Sequence, residues 1–246
     1  MTPLATARGL LIVDFKQVTR DRFLSFVLVY SLVLAVAVRF GVPALAAVLL
    51  ERYGVDLVPY YGLISSFVGL TLGSMVGLVL GFLLLDARET RLVEAISVSP
   101  ATFEGFLSYR IALPIVLAIA LNPLCAVIAG LLLPPAVPLI TLSVFGALFG
   151  GISTLALATF ADNKIQAFAV MKMISGVGMI PLAAYFVDAP LQYLFGLFPP
   201  YWLFKAWWLA VDGAPSWGIY AALGAVANAA FLLWMKRRFE RLVHRQ

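Results

Sequence analysis

A chain of 246 residues that is 63% hydrophobic and 12% charged, with a mean hydropathy of +1.02, is too apolar to be a water-soluble domain, in which roughly half of the residues are apolar. The formal net charge of +5 would suit nucleic acid. The basic residues, however, are dispersed at the ends of apolar runs, where topology and acidic lipid headgroups account for them, so no nucleic-acid partner is expected.

The first 22 residues carry an amphipathic pattern. Leu11, Phe15 and Val18 recur at four and three residues, while Arg8, Lys16 and Arg20 fall on another face. This predicts a short helix lying on the lipids of the inner leaflet and serving as a basic flank to the first span. No small-residue cleavage pattern follows the first apolar run, so that run is expected to be retained. Six spans are predicted, at 23–40, 60–85, 111–133, 136–160, 167–187 and 217–235, each near the ~20 residues that cross a bilayer as helix. With little material between them, residues 1–246 are expected to form a single membrane domain.

Threading these spans puts 14 of the 17 Lys and Arg residues on one side. Arg39, Arg52 and Lys205 remain on the other, and the positive-inside rule then places both termini in the cytoplasm.

In the second span Gly69, Gly73, Gly77 and Gly81 recur every four residues and leave one helix face without side chains. Such a face serves either helix packing within the chain or a seam between two membrane subunits. The charged link that follows sets Leu92 and Ile96 beside Arg88, Glu89, Arg91 and Glu94 and stops near Ser99 and Pro100. It predicts a short amphipathic helix able to pass force from a soluble partner, with Ser99 capping the next helix. These eight residues are the candidate coupling set.

Pro114 and Pro123 in the third span, and Gly176, Gly178 and Pro181 in the fifth, predict bends or opened hydrogen bonding. Asn122 either satisfies the helix at Pro123 or lines a path. Lys172 snorkels to the inner face, joins an internal ion pair or meets cargo, with Glu104 and Arg110 near the same inner mouth. Gly146 and Gly150 repeat the small-residue device in the fourth span, and the sole cysteine, Cys125, is a packing residue of the third. Between spans five and six, an apolar stretch broken at Gly196, Pro199 and Pro200 predicts a re-entrant or interfacial hairpin. Its Tyr193, Tyr201, Trp202, Trp207, Trp208 and Trp217 suit the outer interface.

Catalysis finds no constellation. His244 is the only histidine, and neither HExxH nor GxxxxGK[ST] occurs, so a catalytic metal site is not expected and an ATP-driven motor would have to be another polypeptide. Paired interior carboxylates for a proton relay are also missing.

The opening DFKQVTRDRFLSF, the segment DARETRLVEAISVSPATFEGFLSYR, the stretch NKIQAFAVMKMISGVGMIPLAAYF and the late LFPPYWLFKAWW together resemble the membrane permease subunit of an ABC-type exporter, in the bacterial fluoroquinolone or multidrug export permease group. The resemblance covers residues 8–240. Glu89, Ser99 and Pro100 fall in its coupling segment, and Asn163, Lys164, Lys172 and Pro181 in its fourth cytoplasmic turn and fifth span. It implies an all-α polytopic fold with an N-terminal amphipathic helix and a re-entrant hairpin before the sixth span. It also implies pairing of two permease chains, the same or related, with two separate ATP-binding subunits that expel drugs or other amphiphiles. A non-transporting scaffold or immunity-like protein, and a lipid transporter of the same architecture, remain as alternatives.

Overall fold

The computed structural model describes residues 16, 19–20, 22–90, 103–188 and 190–243, with backbone alone at 23, 24, 27 and 28. Most of the expected N-terminal amphipathic helix, and Arg91, Leu92, Glu94, Ile96, Ser99 and Pro100 of the coupling set, lie outside the described residues.

Among the described residues every regular element is helical, and six helices are long and apolar enough to cross a membrane. In chain order the elements are α1 (Arg22–Tyr53), α2 (Val58–Glu89), α3 (Phe103–Ala129), α4 (Ala136–Phe160), α5 (Lys164–Phe186), α6 (Leu191–Leu197), α7 (Pro200–Val211) and α8 (Trp217–Val243). Short connections make successive spans run antiparallel. The end of α2, the start of α3, the α4–α5 turn and the end of α8 therefore share one end of the bundle. It carries Arg88, Lys164 and Lys236 and is called the basic end below.

Several boundaries differ from expectation for local reasons. The first helix runs through Pro43 to Tyr53 rather than stopping at residue 40, because 41–50 stays apolar and Ala/Leu-rich. Gly54 ends it at φ 67°: its N–H donates to Leu50 O at 3.1 Å and that of Val55 to Leu49 O at 3.2 Å, a glycine cap that satisfies the last carbonyls. The third helix begins at Phe103, so Glu104 and Arg110 belong to its first turns. It ends before Gly130, φ 60°, where Arg39 Nη1 of α1 donates to Ile128 O at 3.1 Å. In α5 the regular helix gives way at Pro181 to a tighter 3-10 stretch, Ile180–Phe186, the change expected from proline there.

The core is organised around α2. In its most apolar window 89% of residues are buried, against 11% in α1 and 17% in α5. It is also the least regular helix. Tyr61–Phe67 is α-helical, Val68–Leu72 widens to a π-turn, Gly73–Met75 tightens to 3-10, and Val76–Glu89 is α-helical again.

α6 and α7 form a hairpin that enters the bundle beside α8. Asn228 Nδ2 donates to Pro199 O at 3.0 Å, and Leu203 lies against Gly224. The helical rise from Trp217 to Asn228 puts the hairpin corner roughly 17 Å deep, about half a hydrocarbon core. The expected outer-interface position therefore fails for Tyr201, Trp207 and Trp208, which are buried in the largest apolar cluster. An indole can lie there because its one donor is met: Trp207 Nε1 reaches Ser65 Oγ and Trp208 Nε1 reaches Ser66 Oγ, each at 3.0 Å. Tyr193 stays half exposed and shares a 3.0 Å hydroxyl contact with Tyr220.

Candidate functional site

The irregular middle of α2 makes the first component of the site. A helix that changes pitch misaligns backbone carbonyls, and in a membrane those carbonyls need partners from the protein. Asn122 of α3 supplies them: its Nδ2 donates to Leu70 O at 3.3 Å, Ser74 Oγ at 3.1 Å and Ser143 O at 3.3 Å. Ser74 Oγ donates in turn to Gly146 O at 3.2 Å, and Thr154 Oγ1 to Gly77 O at 2.8 Å. The result is a buried polar knot joining α2, α3 and α4.

The glycine stripe lets the backbones come close enough to tie it. Gly69 faces the Trp207 ring, Gly73 the backbone at Leu121 and Asn122, Gly77 the backbone of Gly150, and Gly81 Thr154 and Leu157. All four face residues of the same chain.

Beside the knot, α2, α4 and α5 enclose a cavity of about 170 Å³. Phe67, Met75 and Leu78 of α2, Phe149 of α4 and Ile174 and Met179 of α5 make its wall apolar, with the hydroxyls of Thr71, Ser153 and Ser175 set into it. Thr71 Oγ1 donates to Phe67 O at 2.6 Å, which turns its hydroxyl inward to the helix. No lining residue is ionisable, so the groove offers apolar contact and a few hydroxyls, the chemistry of a surface for an amphiphile. Its α5 wall opens outward, with nothing within 4 Å of a Cβ at Gly176 or Gly178.

The basic end closes the site. Arg88, near the end of α2, is only 7% exposed at its side chain. Its Nη1 donates to Ala158 O and its Nη2 to Ala161 O, each at 2.6 Å, and Nη2 pairs with Asp162 Oδ1 at 3.1 Å. A guanidinium at the last carbonyls of α4 meets both the unsatisfied acceptors and the negative end of the helix dipole. Alongside, Lys164 Nζ pairs with Asp86 Oδ1 at 3.1 Å. Asn163 caps α5, accepting from the Gln166 N–H at 3.0 Å, while Gln166 Oε1 accepts from the Asp162 N–H at 2.9 Å. This reciprocal arrangement has the logic of a capping box.

The expected site residues do not gather around one cavity. Glu104, Arg110, Asn122 and Lys172 are all absent from the groove lining. Asn122 is fully buried in the knot, serving the π-turn of α2 rather than its own helix or a path. Arg110 is buried with its guanidinium over the Phe106 and Tyr109 rings, while Glu104 and Lys172 are exposed. Lys172 lies one helical turn toward the basic end from Ser175. Of the coupling set, Glu89 is exposed. The Arg88 guanidinium turns inward, because buried carbonyls outcompete solvent for its fork of donors. Sequence reasoning missed Asp86 and Asp162 in the ion pairs of the basic end, and Ser153 and Ser175 in the groove.

The comparisons with known proteins agree on one family. Residues 14–236 match the model for "Fluoroquinolones export permease protein Rv2686c-like". Two curated relatives are from Mycobacterium tuberculosis: the fluoroquinolones export permease protein MT2760 of strain CDC 1551 / Oshkosh, and the fluoroquinolones export permease protein Rv2686c of strain ATCC 25618 / H37Rv. Each is 32% identical over 232 residues, covering 92% of this chain and 90% of the relative. No solved structure matches. The chain belongs to the Rv2686c-like fluoroquinolones export permease family.

Proposed function

We propose that this family member is the membrane half of an ATP-driven ABC exporter, which moves fluoroquinolone-like drugs or other amphiphiles out of the cytoplasm or the inner leaflet. The observation that carries this reading is the family match over residues 14–236. The chain has no phosphate-binding loop, so the motor is a separate ATP-binding subunit, present in two copies against two permease chains, the same or related. The basic end is cytoplasmic, with both termini on that side. Glu89 and the segment 91–102 meet the motor there. The open α5 wall meets the second permease chain, so that two grooves form one path, and the α2 glycines serve packing inside each chain. Lys172, at the cytoplasmic side of the groove, sets the charge preference of its entrance.

The test is co-reconstitution of the full chain with its ATP-binding subunit in vesicles, with ATP on the motor side. The cargo panel is a fluorescent fluoroquinolone, cationic, neutral and anionic fluorescent amphiphiles, and a labelled phospholipid. ATP-dependent outward flux of the fluoroquinolone or the amphiphiles is expected, and Lys172→Met is expected to raise flux of cations relative to anions. Flux of the phospholipid alone would replace drug export by lipid transport, and no flux of any probe would leave the scaffold reading standing.

A further inference from the structure

The family relationship says nothing of how α5, the wall of the groove with the fewest contacts, follows events at the basic end. Within Lys164–Met179 only Ala167 is buried; Ile165, Met173 and Val177 are exposed, and the contact with the core is one seam of Ala167, Val170, Met171 and Ile174, with the Phe168 ring 5.4 Å from that of Phe82. On a helix held by one narrow apolar seam, the bonds at its end add the directional constraint that apolar contact lacks. Those bonds are two ion pairs of opposite polarity, set as successive rungs between antiparallel segments. Asp86 of α2 reaches forward to Lys164, the first residue of α5, and Arg88 reaches to Asp162, just before it. One pair fixes a distance, and two pairs with reversed polarity also fix the rotation of the α4–α5 turn about the end of α2. The two pairs differ in character. Arg88 is nearly buried and bound to the Ala158 and Ala161 carbonyls at the end of α4, which fixes its guanidinium, while the side chain of its partner Asp162 is 76% exposed. The Lys164 side chain is 58% exposed and that of Asp86 23%, so their bond is open to water and can break and re-form.

Building on the exporter reading, we propose that Asp86, Arg88, Asp162 and Lys164 are positioning residues: a two-pair clamp of opposed polarity that makes α5 follow the end of α2 when the motor moves it. The clamp sits in the last turn of α2, at the basic end. The helix it steers carries Ile174, Ser175 and Met179 of the groove. A displacement at the clamp therefore reaches Ile174 and Ser175 of the groove along one continuous stretch of α-helix, with Pro181 ending the regular stretch beyond.

The Asp86 and Lys164 pair allows a clean test, because its exchange leaves Arg88 and the α4 cap untouched. In the reconstituted transporter, the number of fluoroquinolone molecules exported per ATP hydrolysed is compared for wild type, Asp86→Lys, Lys164→Asp and the double exchange Asp86→Lys/Lys164→Asp. Each single reversal sets like charges face to face, and the ratio is expected to fall roughly fivefold. The double exchange restores an ion pair and should recover most of the wild-type ratio. A merely structural role would lower export and hydrolysis together and leave the ratio unchanged.

A second measurement is independent of cargo. Spin labels on Thr90→Cys and Ile165→Cys in a Cys125→Ser background report the distance between the end of α2 and the start of α5. The clamp predicts one narrow distribution, broadened by either single reversal and narrowed again by the double exchange. If wild type exports no probe, the exporter reading falls while the label distances still decide the clamp. Single reversals with unchanged distances, or a double exchange that recovers neither readout, would overturn it.

Discussion

α2 and α5 are both membrane-spanning helices with closely spaced glycines, and they do opposite things with them. Each stripe glycine of α2 meets another element of the chain: the Trp207 ring, the α3 backbone, the α4 backbone, and the side of Leu157. Gly176 and Gly178 of α5 meet nothing. A glycine thus marks close approach only where a second backbone comes to fill the space; elsewhere it adds conformational freedom to a helix. The contrast extends to polar groups. Ser65 and Ser66 of α2 bind indoles in the core, whereas Ser175 lines an open groove. One helix is the buried post of the molecule and the other its exposed wall.

The sharpest way to break that comparison is a matched pair of substitutions. Gly77→Leu meets the backbone of Gly150, which has no side-chain torsion to yield, so a loss of at least ~3 kcal/mol or failure to accumulate is expected. Gly176→Leu should leave stability unchanged or raise it by up to ~1 kcal/mol through helix propensity. Thermal unfolding in detergent and membrane abundance check both, and a tolerated Gly77→Leu would remove α2 as the post. Next in size is Arg88→Ala, which uncaps α4 and strips a nearly buried set of charge-assisted hydrogen bonds. A loss of about 2–3 kcal/mol is expected in the same unfolding assay. Smallest is Asn122→Leu, which fits the volume but abandons the acceptors of the π-turn, at about 1–2 kcal/mol. Faster amide exchange around Leu70 and Ser74, with the rest of α2 still protected, would place that loss in the knot.

The spans were legible because lipid admits few solutions: an apolar run of sufficient length has to be a helix, and charges collect at its ends. Gly196, Pro199 and Pro200 likewise announced the hairpin, since no straight helix survives all three. What escaped were the contacts between elements. Trp207 and Trp208 read as interfacial because an indole usually wants water near its N–H; only the arrival of Ser65 and Ser66 lets them sink. The π-turn at Val68–Leu72 contains no proline to betray it. Arg88 read as partner-facing because its sequence neighbours are charged, yet a signal was present. The chain reads Asp86-Ala87-Arg88 at the end of α2 and Asp162-Asn163-Lys164 at the start of α5, the same acid-to-base spacing on two segments that topology brings to one end. The groove hydroxyls Ser153 and Ser175 left no such trace, because an isolated serine in a membrane helix most often bonds its own backbone.

The notch above Gly69 also sets a timetable. Ser65, which holds the Trp207 indole over that glycine, precedes it by 142 residues, so α3, α4 and α5 are all synthesised before the side chain that fills the notch exists. Helix by helix insertion can seat the spans in order, but the central one stays unfinished until nearly the whole chain has been made. Quality control that samples the nascent protein would therefore find its weakest seam in the helix that is most deeply buried at the end.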